Sequence, residues 1–194
     1  KAETGHPFCQ YLIGNTYYFG DCFEIDGTDP QTAFRSQDEL RAYTARQALP
    51  WLEKALAGGL SDAAKNLYNL FSGSEGLPRD RGRQWSIALQ GASAGNPYWE
   101  EWCGKMCHEE HGREAEALRW FRQAALHGQA SSWFHIGLRY ERGIGVGRNL
   151  AKAAEAYRKG AEKGSSDAQQ ALGIMTLFGR GVPRDAARAA YWLR

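Results

Sequence analysis

The apolar residues of this chain follow a helical period rather than an alternating one. Ile136 and Tyr140 lie four residues apart in segment 130–141, and segment 149–163 repeats that spacing. Such a spacing places apolar side chains on one face of a helix. No segment alternates apolar and polar residues over a long stretch. The pattern therefore predicts an all-α fold with almost no strand.

Polar and glycine residues mark where these helices begin and end. Asn149 is suited to an N-cap, Lys163 to the last turn, and Gly164 to the left-handed position after it. Glycines at equivalent places, Gly59, Gly95, Gly128 and Gly164, are separated by 36, 33 and 36 residues. The spacing indicates a helical unit of about 36 residues that recurs along the chain.

A direct sequence match supports the repeat. Segment 62–80 and segment 167–185 lie 105 residues apart, and both begin with Asp-Ala and end with Pro-Arg-Asp. We expect one repeat domain over residues 1–194, with units at about 7–59, 60–95, 96–128, 129–164 and 165–194, the last one truncated. A single helical hairpin cannot bury its apolar face alone, so successive hairpins must stack.

The repeat resembles the Sel-one-like repeat family, relatives of the tetratricopeptide repeat. One copy carries Ala168, Leu172, Gly173, Gly179, Gly181, Val182, Asp185, Ala189 and Trp192. Another copy carries Ile136, Gly137, Tyr140, Gly143, Gly145, Val146, Asn149, Ala153 and Gly164. The expected fold is an all-α, right-handed α-solenoid of about five helix-turn-helix repeats of about 36 residues.

The small and large residues of the unit predict how its two helices pack. Gly104, Gly137 and Gly173 occupy one column of the first helices, where a small residue permits close approach. We expect the facing column of the second helices to be Trp51, Ile87, Trp120, Ala156 and Trp192. The tryptophans are interpreted as core residues rather than as a platform for a ligand.

Four cysteines give the main indication of compartment. Cys9 and Cys103 fall in units too far apart to be bridged, so the possible pairs are Cys9–Cys22 and Cys103–Cys107. The second pair spans one helical turn and requires a distorted helix end. Two disulfides in an exported protein are expected; buried free thiols in a cytosolic protein are the alternative.

Few residues suggest bound metal or phosphate. Cys103, Cys107, His108 and His111 are too closely spaced for a familiar zinc site, and we expect a disulfide with surface histidines instead. The glycines at 143–147 and 179–181 follow helices and are interpreted as turns rather than phosphate loops. An insertion at about Gly20–Ser36 is predicted to be an acidic, partner-facing loop, with Asp21, Glu24, Asp26 and Asp29. No cofactor or metal is predicted.

Composition and motifs exclude several function classes. The net charge of +2 gives no case for nucleic-acid binding, and the longest apolar runs are too short to span a membrane. There is no nucleophile elbow and no credible Cys–His pair, so no enzyme is predicted. The chain starts without Met and ends inside a predicted second helix, and we expect the natural protein to continue beyond Arg194.

The resemblance implies a concave binding face built from the first helix of each unit. Applied to this sequence, the inward positions bring together polar, aromatic and aliphatic side chains that could contact another protein. They are Phe8, Tyr11, Asn15, Tyr18, Asp62, Lys65, Asn69, Tyr98, Glu101, Lys105, His108, Phe134, Leu138, Glu141, Gln170 and Ile174. Some of them could instead cover neighbouring repeats.

The function implied by the resemblance is a non-enzymatic protein-binding scaffold of the bacterial envelope, periplasmic or secreted. One such role is a periplasmic immunity protein that neutralises a secreted toxin. The alternatives are an envelope signalling regulator, a scaffold for export or exopolysaccharide assembly, and a cysteine-rich repeat hydrolase. A cytoplasmic location is the alternative compartment.

Overall fold

The computed structural model describes residues 6–19, 34–110 and 112–194, and over these residues the fold is all-α, as predicted. The described chain forms ten helices and no strand. The helices are α1 (Pro7–Tyr18), α2 (Gln37–Ala57), α3 (Asp62–Leu70), α4 (Arg81–Ser93), α5 (Pro97–Glu109), α6 (Glu114–Leu126), α7 (Ala130–Arg142), α8 (Leu150–Glu162), α9 (Ser166–Phe178) and α10 (Ala186–Trp192).

The chain forms two compact units, Lys1–Gly91 and Ala92–Arg194. In the first unit, α1 packs against α2, α2 packs against α3, and α1 also contacts α3. A β-carbon built on Gly14 would lie 2.7 Å from Leu52 Cδ2, so only glycine lets α1 approach α2 this closely. The predicted acidic loop with Asp21, Glu24, Asp26 and Asp29 lies outside the described residues.

The second unit consists of three helix pairs, α5 with α6, α7 with α8, and α9 with α10. Each pair packs on the next through α6 and α7 and then through α8 and α9, and α7 also contacts α9. One cluster of buried side chains joins the last two pairs: Ala153, Ala154, Tyr157, Ala161, Ala168, Leu172 and Met175. The apolar face of each pair is therefore covered by its neighbour, as a repeat fold requires.

The predicted helix boundaries are confirmed by their caps. The Asn149 side chain accepts a hydrogen bond from the Lys152 backbone N–H at 2.9 Å, which caps α8. Asp185 caps α10 in the same way, at 3.0 Å. The four glycines that define the period have φ values of 90°, 76°, 104° and 89°, in the left-handed region expected after a helix.

Two turn glycines place each turn against the preceding helix pair. Gly145 has a φ of 67°, and a β-carbon there would lie 2.6 Å from the backbone of Glu114, at the start of α6. Gly181 has a φ of 71°, and its β-carbon would lie 2.4 Å from the Leu150 carbonyl, at the start of α8. Both the conformation and the close backbone contact require glycine, so these glycines are structural.

The predicted pairing of small and large residues is correct for the glycines and wrong by one residue for their partners. A β-carbon on Gly137 would lie 2.4 Å from Tyr157 Cε1, and one on Gly104 would lie 2.9 Å from Phe121 Cε1. The residues that face these glycines are thus Phe121 and Tyr157, each one position after the predicted Trp120 and Ala156. At Gly104 and Gly137 an aromatic ring lies over the glycine, whereas the Trp120 side chain is half-buried. The same shift holds at two other glycines. Gly173 faces Leu193 rather than Trp192, and Gly14 faces Leu52 rather than Trp51.

Candidate protein-binding surfaces

We call the predicted binding residues on α5, α7 and α9 of the second unit the first-helix face. All the predicted binding residues, including those on α1 and α3 of the first unit, divide into three groups by exposure. The exposed members are Phe8, Asp62, Lys65, Tyr98, His108, Gln170 and Ile174. The half-buried members are Tyr11, Asn15, Tyr18, Asn69, Lys105, Phe134, Leu138 and Glu141. Glu101 is buried.

In the first unit, three predicted binding residues join helices to one another. Asn66 Nδ2 donates a hydrogen bond to Asn15 Oδ1, and Asn69 Nδ2 donates to the Tyr18 hydroxyl at 3.4 Å. Both bonds connect α1 with α3. Burial raises the pKa of Tyr18. Because the polar atoms of Asn15, Tyr18 and Asn69 are engaged within the chain, we leave these residues out of the proposed binding surface.

Glu101 links two helix pairs of the second unit from a buried position on α5. Its side chain accepts hydrogen bonds from the hydroxyl groups of Ser131 and, at 2.8 Å, Ser132, and it pairs with Lys105 Nζ at 2.6 Å. Burial alone would raise the pKa of Glu101. The hydrogen bonds from Lys105, Ser131 and Ser132 outweigh it and hold that pKa below its ordinary value. With 4% of its surface exposed, Glu101 stabilises the stack and is inaccessible to a partner.

Glu141 has a similar role at the end of α7. The Tyr157 hydroxyl donates a hydrogen bond to Glu141 Oε2 at 2.8 Å, and Arg180 Nη2 donates to Oε1 at the same distance. Burial, followed by this carboxylate, raises the pKa of the Tyr157 hydroxyl. Glu141 therefore connects α7, α8 and the turn after α9.

In the second unit, the apolar residues of the predicted set lie on α5, α7 and α9. Tyr98 is 37% exposed and Ile174 is 39% exposed. Phe134 and Leu138, on α7, are half-buried, and the Phe134 ring lies 5.8 Å from the Tyr157 ring. These side chains are held by the packed helices below them and present apolar surface to solvent.

A second kind of surface, which the sequence did not predict, is a groove between successive second helices. In the second unit it lies between α6 and α8 above α7, with a volume of about 380 Å³. In the first unit a groove of about 300 Å³ lies between α2 and α4 above α3. Eight of the nine residues that line each groove are equivalent, 69 residues apart, as in Glu53 and Arg122 or Phe71 and Tyr140. The groove is thus a recurring feature of the repeat, visible in the sequence only once the units are aligned.

The described cysteines are free thiols. Cys103 and Cys107 are buried on α5, and Cys9 is half-buried on α1. The predicted Cys103–Cys107 disulfide requires a distorted helix end, but α5 continues to Glu109. The structure therefore gives no support to that bond. The Cys9–Cys22 disulfide stays a prediction, since Cys22 lies outside the described residues.

The environment of the two buried thiols predicts low reactivity. Burial raises the pKa of Cys103 to about 12 and that of Cys107 to about 11, and the thiolate is the reactive form. We expect iodoacetamide to modify both thiols at least about 100-fold more slowly in the folded chain than in the denatured chain, with no reductant added in either case. This factor is roughly the fall in the thiolate fraction that the raised pKa values imply. Peptide mapping by mass spectrometry measures this. If the denatured chain is modified only after a reductant is added, the two cysteines form a disulfide. Rapid modification of the folded chain would support the hydrolase alternative.

The structure also bears on a buried histidine, on metal binding and on membrane spans. His135 stacks on the Phe121 ring at 4.6 Å, and burial lowers its pKa to about 4. It is therefore a neutral packing residue near pH 7. Within the described ranges, no group of three or more histidine, cysteine, aspartate or glutamate side chains is arranged to hold a metal ion. No helix of the described chain has the length and apolar character needed to cross a membrane.

These helix pairs, with glycine at the close contact and glycine in the turn, define a helical-repeat protein. The Sel1 repeat model matches residues 7–35, 114–129, 134–165 and 166–194, more than half of the chain. The chain belongs to the Sel1 repeat family, which confirms the resemblance seen in the sequence.

Curated relatives match about half of the chain. A rat protein named DAP3-binding cell death enhancer 1 is 38% identical over 108 residues, which are 54% of this chain and 21% of the relative. Its mouse counterpart is 34% identical over 100 residues, 51% of this chain and 19% of the relative. The matched part thus amounts to about a fifth of these relatives' length.

Solved structures match nearly all of the chain. A Sel1 repeat protein from Oxalobacter formigenes aligns with a TM-score of 0.74 at 28% identity, over 97% of this chain and 71% of that one. A protective antigen of uropathogenic Escherichia coli strains that displays an SLR fold aligns with a TM-score of 0.67 at 28% identity, over 98% and 45%. The all-α repeat fold is therefore shared with solved Sel1 repeat proteins.

Proposed function

We propose that this chain is a protein-binding scaffold that engages its partner through the first-helix face of the second unit. The observation that carries the proposal is the set of apolar side chains that α5, α7 and α9 present to solvent. Tyr98, Phe134, Leu138 and Ile174 lie on this face, and Leu138 and Ile174 are equivalent positions 36 residues apart. Polar residues would be better solvated at such positions. Aromatic residues on a rigid support are typical binding hot spots because little side-chain entropy is lost when they are covered.

The family and its relatives support the same class of function. The match to the Sel1 repeat family supports a scaffold that binds other proteins, and the rat and mouse relatives carry the name of a DAP3-binding protein. The location in a bacterial envelope and the narrower role of a periplasmic immunity protein remain predictions from the sequence. The alternatives are an envelope signalling regulator, a scaffold for export or exopolysaccharide assembly, and a cysteine-rich repeat hydrolase.

A capture experiment with matched variants tests the proposal. Immobilised wild-type chain and the variant Tyr98→Ala/Phe134→Ala/Ile174→Ala are incubated with extract of the native source, and bound proteins are quantified by mass spectrometry. We expect the partner to be reduced at least tenfold on the variant, a loss of about 1.4 kcal/mol or more in binding.

Tyr191→Ala is the control, since Tyr191 is exposed on the second helix α10. This variant is expected to capture as much partner as the wild type. Equal capture by the triple variant and the wild type, with unchanged melting temperatures, would contradict the first-helix face as the binding surface.

A further inference from the structure

We propose that the groove between α6 and α8, here called the basic groove, binds an acidic peptide segment of another protein, with apolar side chains between its carboxylates. This inference is separate from the first-helix face, because the groove is formed by second helices and the body of α7 below them. It predicts a second docking surface within the unit Ala92–Arg194.

The floor of the basic groove is apolar and aromatic. Ile136 is buried at its base, Trp133 and Tyr140 are half-buried beside it, and Leu126 is 78% exposed at its edge. The volume of about 380 Å³ lies within the range of small-ligand pockets, so it is large enough to accept apolar side chains from an extended or helical segment.

The rim of the basic groove carries three cations and one carboxylate. Arg122 Nη2 donates a hydrogen bond to the Tyr140 hydroxyl at 2.7 Å, and Lys152 Nζ lies 5.7 Å from the centre of the Tyr140 ring. Lys159 Nζ lies 5.1 Å from the centre of the Trp133 ring and pairs with Glu155 Oε1 at 2.9 Å. In the described part of the chain, Lys159 alone of these cations has an ion-pair partner. Arg122 and Lys152 are thus positioned around one ring with unbalanced positive charge.

The equivalent groove of the first unit shows that this charge is not needed for packing. The position of Arg122 is occupied there by Glu53, which pairs with Arg83, the equivalent of Lys152, at 3.6 Å. Arg83 also lies over the ring of Phe71, at 4.9 Å, as Lys152 lies over Tyr140. The same framework therefore accepts a neutral, self-paired rim. The excess of cations is specific to the basic groove.

Charge complementarity selects the occupant. Carboxylates on a peptide would pair with Arg122 and Lys152, while its apolar side chains would cover Leu126 and the ring edges. A single-stranded nucleic acid also carries negative charge, but it relies on stacking of its bases on open aromatic faces. Here lysines lie over the Trp133 and Tyr140 rings, so an acidic peptide fits better.

Fluorescence anisotropy with defined probes tests this proposal. The probe is a labelled peptide of alternating glutamate and leucine, compared with its glutamine counterpart and with a labelled oligothymidine. We expect the acidic peptide to bind with a Kd of roughly 10–100 μM at low salt, and at least tenfold more weakly at 0.5 M salt. The glutamine peptide and the oligothymidine are expected to bind at least tenfold more weakly than the acidic peptide.

Two charge reversals give a matched comparison. Arg122→Glu reproduces the rim of the first unit's groove and should weaken the acidic peptide at least tenfold. Arg158→Glu changes net charge equally on the exposed part of α8, where Arg158 pairs with Glu162 rather than lining the groove, and should change the affinity less than twofold. The first-helix variant Tyr98→Ala/Phe134→Ala/Ile174→Ala should bind the acidic peptide normally, which separates this test from that of the proposed function.

Several outcomes would overturn the proposal. These are no acidic-peptide binding up to about 1 mM, equal loss in both charge reversals, or equal binding of the glutamine peptide. Tighter binding of oligothymidine, lost in Arg122→Glu, would assign the groove to nucleic acid instead. A concentration-dependent dimer that Arg122→Glu abolishes would assign it to a second copy of this chain.

Discussion

Gly137→Ala is expected to lower the free energy of unfolding by about 2 kcal/mol or more, although alanine is the better helix former. The added methyl group would lie 2.4 Å from Tyr157 Cε1. The ring cannot move away easily, because Tyr157 is 1% exposed and Glu141 holds its hydroxyl at 2.8 Å. Either α7 and α8 separate or the hydrogen bond breaks. Urea unfolding followed by circular dichroism measures the change.

Two further variants show whether the close approach of α7 and α8 is responsible. Gly147→Ala is the matched control, because nothing lies within 4 Å of a β-carbon at that turn glycine, and its effect should stay within about 0.5 kcal/mol. In the background of Tyr157→Leu, the alanine at position 137 should cost much less than in the wild type. An equal cost in both backgrounds would show that the Tyr157 ring is not the obstacle.

Glu101→Ala is expected to lower the free energy of unfolding by about 3 kcal/mol at pH 7. The substitution removes the acceptor of the Ser131 and Ser132 hydroxyl groups and the partner of Lys105. Ser132 is fully buried and would be left without that bond. Glu162→Ala is the control: its ion pair with Arg158 is also one helical turn long but exposed, so its loss should cost less than about 0.5 kcal/mol.

The effect of Glu101→Ala should depend on pH. The pKa of Glu101 in the folded chain lies below its ordinary value of 4.5. The charged carboxylate therefore stabilises the fold above about pH 4.5, and this stabilisation is lost as pH falls through the folded-state pKa. The difference in the free energy of unfolding between wild type and Glu101→Ala should accordingly be smaller at about pH 3 than at pH 7. The lower pH lies about 1.5 pH units below the ordinary pKa of a glutamate, and pH 7 lies well above it. A constant difference would mean that Glu101 contributes by packing alone.

The sequence predicted the helices because each one is locally encoded. The period of the apolar residues sets the helix faces, the N-cap of Asn149 sets a beginning, and the glycine at 164 sets an end. Contacts between helices were predicted less well. Trp120 and Phe121 are both large residues near the close approach, and only the rotation of the helix determines that Phe121 faces Gly104.

The binding surface could be predicted only in part, for a similar reason. Helical position predicts that Glu101 and Phe134 point the same way, but not that Ser131 and Ser132 of the next pair enclose the carboxylate. The basic groove is made of residues from three helices. Its signal is the change from Glu53 to Arg122 at equivalent positions, which has meaning only once both are known to line a groove.

The most direct test of the protein-binding account is the affinity of the captured partner for the wild-type chain and for Tyr98→Ala/Phe134→Ala/Ile174→Ala. The measurement is made by titration calorimetry at a temperature where both proteins are folded. The account predicts that the Kd rises at least tenfold in the variant and stays unchanged in Tyr191→Ala. A Kd that is the same for all three proteins would contradict it.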